Sequence, residues 1–375
     1  MRIAIVHDWL VGYAGGERVL EQIIACYPEA EIFTVVDFLA PEQRGFLGGR
    51  PVTPSFIQRL PGARRHYRAY LGLMPLAVEQ FDLGAYGLVI SSSHAVAKGV
   101  ITGPDQVHVS YVHSPMRYAW DQQHQYLRQS RTDRGLRGAY ARWLLSRLRT
   151  WDVRTANGVD AFIANSHYIA RRIRKTYRRE AEVIWPPVDT ELFRPGGARG
   201  EAFLVASRQV PYKRIDLIAA AFARMPDLRL VISGAGPERG RIHEAASGAP
   251  NIVFLESCPP AEMVSRMQAA RAFVFAGEED FGIVMAEALA CGTPVIALDR
   301  GGAREIVTDR GPAPTGVLFR EQSVEGVIAG VRDFIAAEAY IAADACREGA
   351  ERFGIARFRR DFTDAVERAV RAAGD

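Results

Sequence analysis

Short apolar runs alternate along the chain with longer segments in which apolar residues recur every three to four positions. The first run, at residues 3–6, is too brief for a helix and has no polar face, as in a strand buried inside a parallel sheet. A glycine-rich turn and a helical pattern over residues 15–28 follow it. The strand-like runs are RIAIVHDWL, EIFTVVDF, GLVISSS, VHVSYVHS and DAFIANS, then EAFLVASR, LRLVISG, NIVFLES, RAFVFAG and TPVIALD. The alternation predicts an α/β protein whose parallel sheets are covered by helices on both faces.

The alternation is interrupted once, between the two sets of runs. Residues 183–201, VIWPPVDTELFRPGGARGE, concentrate proline, glycine and charge, which is typical of an interdomain linker. A chain of 375 residues also exceeds one ordinary core and suits two doubly wound domains. We predict an N-terminal acceptor domain over 1–186, a C-terminal donor domain over 187–350, and a final helix over 351–375 that packs back on the first domain.

Composition excludes several other classes of protein. The formal net charge of +4 is small for this length and gives no support to nucleic-acid binding. The four cysteines are far apart, form no Cys-x-x-Cys pair, and so predict neither a zinc site nor disulfides but reduced thiols in the cytoplasm. The N-terminus leaves no room for a signal peptide, and no apolar run approaches the roughly 20 residues that span a bilayer. We therefore expect a cytoplasmic protein, at most peripheral at the cytoplasmic face of the inner membrane.

The strongest candidate site lies in FVFAGEEDFGIVMAEALACGTPVIAL of the second set. A strand leads into an acidic loop, which carries Glu279 to the carboxyl edge of the sheet, where open α/β sheets bind ligands. A helix then begins near Gly282, and the backbone N–H groups of Phe281, Gly282 and Ile283 suit a diphosphate. Glu287 lies about one turn further on. A pair of glutamates with seven residues between them is by itself more often structural, so this pattern needs independent support.

That support comes from cationic residues upstream, in ASRQVPYKRID. Arg208 ends a predicted strand, and Lys213 lies at or just before the next helix. Arginine grips phosphate in a fork, and lysine acts as a compact point charge. A further glycine-rich turn, SGAGPE, places Gly234 where backbone can approach a nucleotide. Together these features predict an anion-binding site.

The combination resembles the retaining GT-B glycosyltransferases of family 4, group 1. The resemblance covers the whole chain through GGER, NS before a helix, PPVD at the linker, and the glutamate pair with FG and CGTPVIA. It implies two Rossmann-like domains facing across a cleft. In that family the residue matching Glu279 contacts the donor sugar, and the residue matching Glu287 contacts the nucleotide ribose. The residues matching Arg208 and Lys213 hold the diphosphate, assisted by amides matching Phe281, Gly282, Ile283 and Val284. The resemblance also implies that no metal ion or other cofactor is required.

Two strand ends in the first domain carry the other candidate residues. Gly15 and Gly16 lie where the first strand turns into a helix, and the matching loop in the family lies beside the donor phosphates. A tight turn is an equally good reading of these glycines. His113 follows another strand, and its counterpart in the family lies close to the donor sugar. His7, Asp8 and Trp9 lie at another strand end and could line the acceptor cleft, although buried packing is equally plausible for Trp9.

The string HSPMRYAWD, at residues 113–121, is similar to bacterial mannosyltransferases of surface-polysaccharide assembly. This resemblance favours GDP-mannose as the nucleotide-sugar donor and a saccharide linked to polyprenyl diphosphate as the acceptor. It indicates polysaccharide or glycolipid biosynthesis. A UDP-sugar donor stays open on the sequence alone.

Arginines interleaved with leucine, tryptophan and tyrosine mark residues 59–75 and 127–154. Such a face can lie on an anionic membrane surface, where each basic residue adds roughly 1 kcal/mol of attraction. A solvated face of an ordinary helix explains the same pattern equally well.

The predicted activity is retaining transfer of a hexose from a nucleotide-diphosphate sugar to a saccharide hydroxyl. A GT-B sugar-nucleotide epimerase or phosphorylase would share the same cationic clamp. A regulatory module that binds a nucleotide sugar without turning it over is the non-enzymatic alternative. A dinucleotide-dependent dehydrogenase is disfavoured because neither glycine-rich turn has the Gly-x-Gly-x-x-Gly spacing.

Overall fold

A computed structural model describes residues 1–130 and 132–374 of the chain. It contains two compact units. Unit 1 comprises Met1–Trp185 together with the C-terminal segment from Phe358 onward, and unit 2 comprises Pro186–Arg357.

Unit 1 is built on a seven-stranded sheet in which every pair of neighbours is parallel. Its strands are β1 Ile3–His7, β2 Glu31–Thr34, β3 Val52–Pro54, β4 Leu88–Ser93, β5 Val107–Val112, β6 Ala161–Ala164 and β7 Glu182–Val183. They lie in the order β3-β2-β1-β4-β5-β6-β7. All residues of β4 and β5 are buried, including His108, whose Nε2 lies 2.8 Å from Ser91 Oγ.

Helices and short 3-10 segments cover both faces of this sheet. The helices are α1 Gly15–Cys26, α2 Ala63–His66, α3 Met74–Glu79, α4 Gln123–Gln129, α5 Gly135–Thr155 and α6 His167–Tyr177. The 3-10 segments are Pro41–Gln43, Gly45–Leu47, Phe56–Arg59, Tyr67–Leu73, Ala97–Gly99 and Ala156–Gly158. Separate apolar clusters form the core, one around Val6, Val89 and Met116, another around Ile5, Ile90 and Val109.

Unit 2 repeats the architecture with six parallel strands. Its strands are β8 Phe203–Ala206, β9 Leu230–Ser233, β10 Ile252–Leu255, β11 Phe273–Phe275, β12 Val295–Leu298 and β13 Gly316–Phe319. They lie in the order β10-β9-β8-β11-β12-β13. Its helices are α7 Ile215–Ala223, α8 Arg239–Ala246, α9 Pro260–Gln268, α10 Ile283–Ala290, α11 Ala303–Ile306, α12 Val324–Ala337 and α13 Ala343–Glu351, with 3-10 segments at Pro211–Lys213 and Glu338–Tyr340.

The last helix, α14 Ile355–Gly374, contributes most of its length to unit 1. Phe358 and Phe362 lie on the ring of Tyr111, with centroids 5.9 and 6.2 Å away. The guanidinium of Arg359 donates to Gln22 Oε1 at 2.6 and 2.8 Å. The aromatic stripe of α14 therefore belongs to the core that β5 and α1 build.

Both sheets reverse their strand order at the same place. In each unit the first three strands follow one another in one direction across the sheet, and the fourth lies on the other side of the first. As a result, β1 neighbours β4 and β8 neighbours β11. Loops that leave two such neighbours diverge to opposite faces and open a crevice at the carboxyl edge, the usual ligand site of doubly wound sheets. The α/β class with two doubly wound parallel sheets is confirmed. The three strands that the apolar pattern did not predict, β3, β7 and β13, lie at or near sheet edges.

Candidate functional site

The crevice of unit 2 contains an ion pair between two of the predicted residues. The ammonium group of Lys213, at the end of a 3-10 turn after β8, contacts Glu279 Oε1 in the loop after β11. Their side chains are only 12% and 17% exposed, so water screens the pair weakly. Lys213 Nζ also lies 5.1 Å from the ring centroid of Phe275, the last residue of β11. The two loops therefore place a cation and a carboxylate together at the point where the sheet reverses its order.

Glycines allow these loops to approach so closely. A Cβ atom on Gly277 would lie 3.0 Å from the carbonyl oxygen of Tyr212 and 3.1 Å from Lys213 Cα. On the other side, the N–H of Gly302 donates to the carbonyl oxygen of Glu279 at 2.9 Å. A Cβ atom on Gly301, which has a φ of +61°, would lie 2.2 Å from that same oxygen. The backbone of Glu279 is thus held from both sides by contacts that any larger residue would break.

The acidic loop ends at the start of α10. Gly282 adopts a φ of +96° and begins the helix, which explains why glycine follows Phe281 here. Phe281 is buried and packs edge-on against Phe353, with ring centroids 5.3 Å apart. In the part of the chain that the structure describes, the N–H groups of Gly282, Ile283 and Val284 have no protein acceptor. The start of α10 therefore has the open N–H donors that the predicted anion site requires.

Two further predicted residues lie in neighbouring loops. Arg208 is exposed two residues beyond the end of β8, so it belongs to the loop and not to the strand. Gly234, after β9, has a φ of +134°, and a Cβ atom on it would lie 2.1 Å from the carbonyl oxygen of Ser207. Its own carbonyl oxygen accepts a hydrogen bond from Gln209 Nε2 at 3.0 Å. Arg208 and Gly234 are therefore brought to the same edge of unit 2 as Lys213. Glu287 is buried within α10.

In unit 1, His113 directly follows β5 and forms part of a chain of buried polar groups. Its Nε2 lies 2.8 Å from Ser92 Oγ, which in turn lies 3.1 Å from Nδ1 of His7. Burial, together with the neighbouring His94 and His7, lowers the pKa of His113 to about 3. The imidazole is therefore neutral around physiological pH, and it can hydrogen-bond a hydroxyl without adding charge.

The predicted glycine turn lies beside this chain. Gly15 and Gly16 are the first residues of α1, and a Cβ atom on Gly16 would lie 3.9 Å from Cε1 of His7. Glu17 Oε2 accepts the Ala14 N–H at 2.9 Å, and Oε1 lies 3.8 Å from Nε2 of His7. Burial alone would raise the pKa of Glu17, but the contacts with His7 and Ala14 lower it. GGER is thus a capped helix start that holds His7.

Asp8 does not line a crevice, and the expectation that it could is wrong. It is fully buried, and its carboxylate accepts the backbone N–H groups of His94, Ala95, Val96 and Ala97 at 2.5–2.9 Å. The sequence analysis missed His94, whose Nδ1 lies 3.0 Å from Asp8 Oδ2. Its position directly after β4 matches that of His113 directly after β5, and this signal could have found it.

Solved structures share this fold along nearly the whole chain. The HepE protein of Anabaena, solved in complex with UDP, has a TM-score of 0.72 and 18% identity over 98% of this chain and all of that one. The sucrose-phosphate synthase of Thermosynechococcus elongatus has a TM-score of 0.73 and 18% identity over 99% of this chain and all of that one. Two Rossmann-like parallel-sheet units with these neighbours define the GT-B class of fold.

Two family models cover the two units in turn. Residues 13–192 match the model of Glycosyltransferase Family 4, and residues 192–353 match that of Glycosyl transferases group 1. The chain belongs to the group 1 glycosyltransferases of family 4. The predicted family is confirmed.

Curated relatives match over part of their length. A D-inositol 3-phosphate glycosyltransferase of Segniliparus rotundus is 31% identical over 204 residues, which is 48% of this chain and 45% of that protein. A GDP-mannose-dependent alpha-(1-6)-phosphatidylinositol monomannoside mannosyltransferase of Mycolicibacterium smegmatis is 31% identical over 212 residues, 49% of this chain and 55% of that protein. The chain therefore spans about half the length of the curated relatives it matches.

Proposed function

We propose that the protein transfers a hexose from a nucleotide-diphosphate sugar to a saccharide hydroxyl with retention of configuration and without a metal ion. The observation that carries the proposal is the pairing of Lys213 with Glu279 at the order reversal of the unit 2 sheet. This pair places a cation that can bind the diphosphate in direct contact with a carboxylate that can bind the sugar hydroxyls.

The proposed chemistry is electrostatic. As the bond between the sugar and the diphosphate breaks, negative charge accumulates on the departing phosphate. Lys213, Arg208 and the free N–H groups at the start of α10 are fixed positive groups that stabilise this charge, the task that a divalent cation performs in metal-dependent transferases. In the structure, the charge of Lys213 is paired with that of Glu279. A donor that binds both partners would exchange this internal pair for contacts with its own phosphate and hydroxyl groups.

The proposed donor is GDP-mannose. The string HSPMRYAWD favours it, and one relative with 31% identity is named as GDP-mannose-dependent. HepE, at 18% identity, was solved with UDP, so a UDP-sugar is the competing donor. A saccharide acceptor linked to polyprenyl diphosphate and a role in polysaccharide or glycolipid synthesis complete the proposal.

A thermal-shift experiment tests the donor. GDP, GDP-mannose, UDP, UDP-glucose and ADP are each added to the protein with and without EDTA, since a ligand that binds only the folded state stabilises it by about 2.7 kcal/mol at a hundredfold excess over Kd. We expect GDP and GDP-mannose to raise the melting temperature most, and EDTA to leave that shift unchanged. Stabilisation by UDP compounds alone would overturn the donor and leave the class of reaction standing. A shift lost in EDTA would contradict metal independence, and no shift with any nucleotide would overturn the whole proposal.

We further propose that one end of α5 touches an anionic membrane surface. None of the described helices is long and apolar enough to cross a bilayer. Leu136, Tyr140 and Trp143, spaced along one side of α5, are 90%, 62% and 58% exposed, which is unusual for large apolar side chains. Exposed arginines accompany them: Arg134 directly precedes the helix, and Arg137, Arg142 and Arg147 lie on it. Arg131, part of the same basic stretch, lies outside the described residues.

Liposome flotation tests this surface. We expect the protein to float with vesicles containing anionic phosphatidylglycerol and to remain unbound with neutral phosphatidylcholine, because each basic residue near an anionic surface adds about 1 kcal/mol. Tyr140→Ser/Trp143→Ser should reduce the bound fraction several-fold, since aromatic rings anchor at the membrane interface. The matched control is Tyr340→Ser, which removes a 78% exposed tyrosine from unit 2. Equal binding to both kinds of vesicle would exclude electrostatic docking.

A further inference from the structure

We infer that His94, held by Asp8, is the residue through which unit 1 binds a hydroxyl group of the saccharide acceptor. This inference rests on the proposed function and adds to it a named acceptor contact. It depends on the positions of Asp8 and His94 in the sheet, on the contacts that orient the imidazole ring of His94, and on the Nε2 atom that those contacts leave open.

The pair bridges the point where the unit 1 sheet reverses its order. Asp8 directly follows β1 and His94 directly follows β4, and β1 and β4 are neighbours in which His7 pairs with Ser92. Loops leave these two strands toward opposite faces, so their ends border the crevice that doubly wound sheets use for ligands. The corresponding position in unit 2 contains Lys213 and Glu279.

The ring of His94 is held in one orientation. Nδ1 lies 3.0 Å from Asp8 Oδ2, and the ring packs edge-on against Trp9 with centroids 4.5 Å apart. Although burial alone would raise the pKa of Asp8, the charge and hydrogen bonds of His94 and its backbone lower it well below the usual range, so the carboxylate is ionised. Because a carboxylate only accepts hydrogen bonds, Nδ1 carries the proton that faces Asp8, and Nε2 lies on the opposite side of the ring. The same arrangement orients the histidine in acid–histidine pairs that act on a substrate hydroxyl.

The held ring is not needed to satisfy Asp8. Four backbone N–H groups already donate hydrogen bonds to the carboxylate of Asp8, so this buried group has hydrogen-bond partners without the imidazole. The His94 side chain is 32% exposed, whereas the side chain of His7 beside it is fully buried. Within the described part of the chain, Nε2 of His94 has no hydrogen-bond partner. A ring that is fixed on one side and open on the other is suited to a ligand hydroxyl.

Two measurements test the inference. The first is the tautomer of His94, read from its ¹⁵N chemical shifts in the full-length protein at neutral pH, where we expect the proton on Nδ1. The second is sugar transfer to methyl α-D-mannopyranoside, methyl α-D-glucopyranoside and methyl α-D-galactopyranoside, compared with hydrolysis of the donor by water. The variants are His94→Asn, which keeps an amide near Asp8 but lacks the reach of Nε2, and His94→Gln, which restores a polar atom near the Nε2 position.

His94→Asn should lower kcat/KM for the accepted glycoside about tenfold, the worth of one hydrogen bond of roughly 1.4 kcal/mol, with the KM for donor and the hydrolysis rate unchanged. His94→Gln should recover part of that loss, which a purely structural role would not produce. The control His243→Asn removes an imidazole that stacks on Phe254 in unit 2 and should change neither rate.

The outcomes separate the two proposals. A proton on Nε2, unchanged kcat/KM in His94→Asn, or an equal loss of transfer and hydrolysis would each overturn the role of His94. If none of the glycosides acted as an acceptor and none of the nucleotide sugars acted as a donor, the result would instead count against the proposed function.

Discussion

Replacing Lys213 by alanine is expected to lower kcat about 10²- to 10³-fold, the loss that follows removal of one preorganised group facing the charge of a transition state. Lys213 lies at the order reversal of the unit 2 sheet, largely shielded from water, and its ammonium contacts Glu279. Its interaction with the departing diphosphate strengthens as charge accumulates there. The loss should therefore fall mainly on kcat and less on the KM for donor.

The measurement is nucleotide release with the donor that the thermal-shift experiment selects. Lys175→Ala is the matched control, because it removes an exposed lysine from α6 in unit 1. Lys213→Arg keeps the charge but replaces a compact ammonium with a wide planar fork, and it should recover only part of the rate. Turnover of Lys213→Ala equal to that of the parent protein would remove Lys213 from the mechanism.

Changes at Glu279 test whether Lys213 acts on the departing diphosphate or only neutralises the neighbouring carboxylate. Without Lys213 its carboxylate, 17% exposed, loses the cation that compensates its burial. Lys213→Ala should therefore also reduce stability, and Lys213→Ala/Glu279→Gln should recover that stability but not the rate. A double variant with restored turnover would show that Lys213 acts only by neutralising Glu279.

The residues of unit 2 could be predicted from sequence because each signal is local. Glu279 follows a recognisable strand, Gly282 begins a helix of good helix formers, and Gly234 lies in a glycine-rich turn. The carboxyl ends of parallel strands meet at one edge of a sheet, so finding the strands was enough to bring these residues together. Their pairing partners, such as Lys213 for Glu279, were not predictable, since an ion pair depends on atomic distances.

The polar contacts at the ends of β1, β4 and β5 join residues 21 to 89 positions apart in the chain, and no local pattern reports them. Ser92 links His7 to His113 through its hydroxyl group, and serine in a strand gives no hint of such a role. Asp8 ends a predicted strand and was expected to face a ligand, and only the loop after β4, whose N–H groups bind its carboxylate, shows that it is buried. The missed strands β3, β7 and β13 are edge strands that are only partly buried, so they lack the unbroken apolar run by which the central strands are recognised.

Asp8→Asn is expected to destabilise unit 1 by about 3 to 5 kcal/mol, because a buried carboxylate that accepts four backbone N–H groups is replaced by an amide that can accept at one end only. The other end of the amide would direct its own N–H groups at two N–H donors. The loop after β4 should open first. Hydrogen exchange of a peptide covering residues 94–97 should therefore accelerate more than exchange elsewhere in unit 1.

The pH dependence of the stability lost in Asp8→Asn identifies the cause of that loss. Because the pKa of Asp8 is held far below the ordinary value of 3.8, its ionised form stabilises the folded state at every pH above that value. This contribution is lost only as the pH falls through the lower pKa of the folded state. The stability gap between the parent protein and Asp8→Asn should thus be constant from pH 8 to pH 5 and narrow below about pH 4. Asp105→Asn, at an exposed position of unit 1, is the control and should leave the urea midpoint unchanged. A gap that already narrows between pH 7 and pH 5 would assign the stabilisation to a histidine rather than to the carboxylate of Asp8.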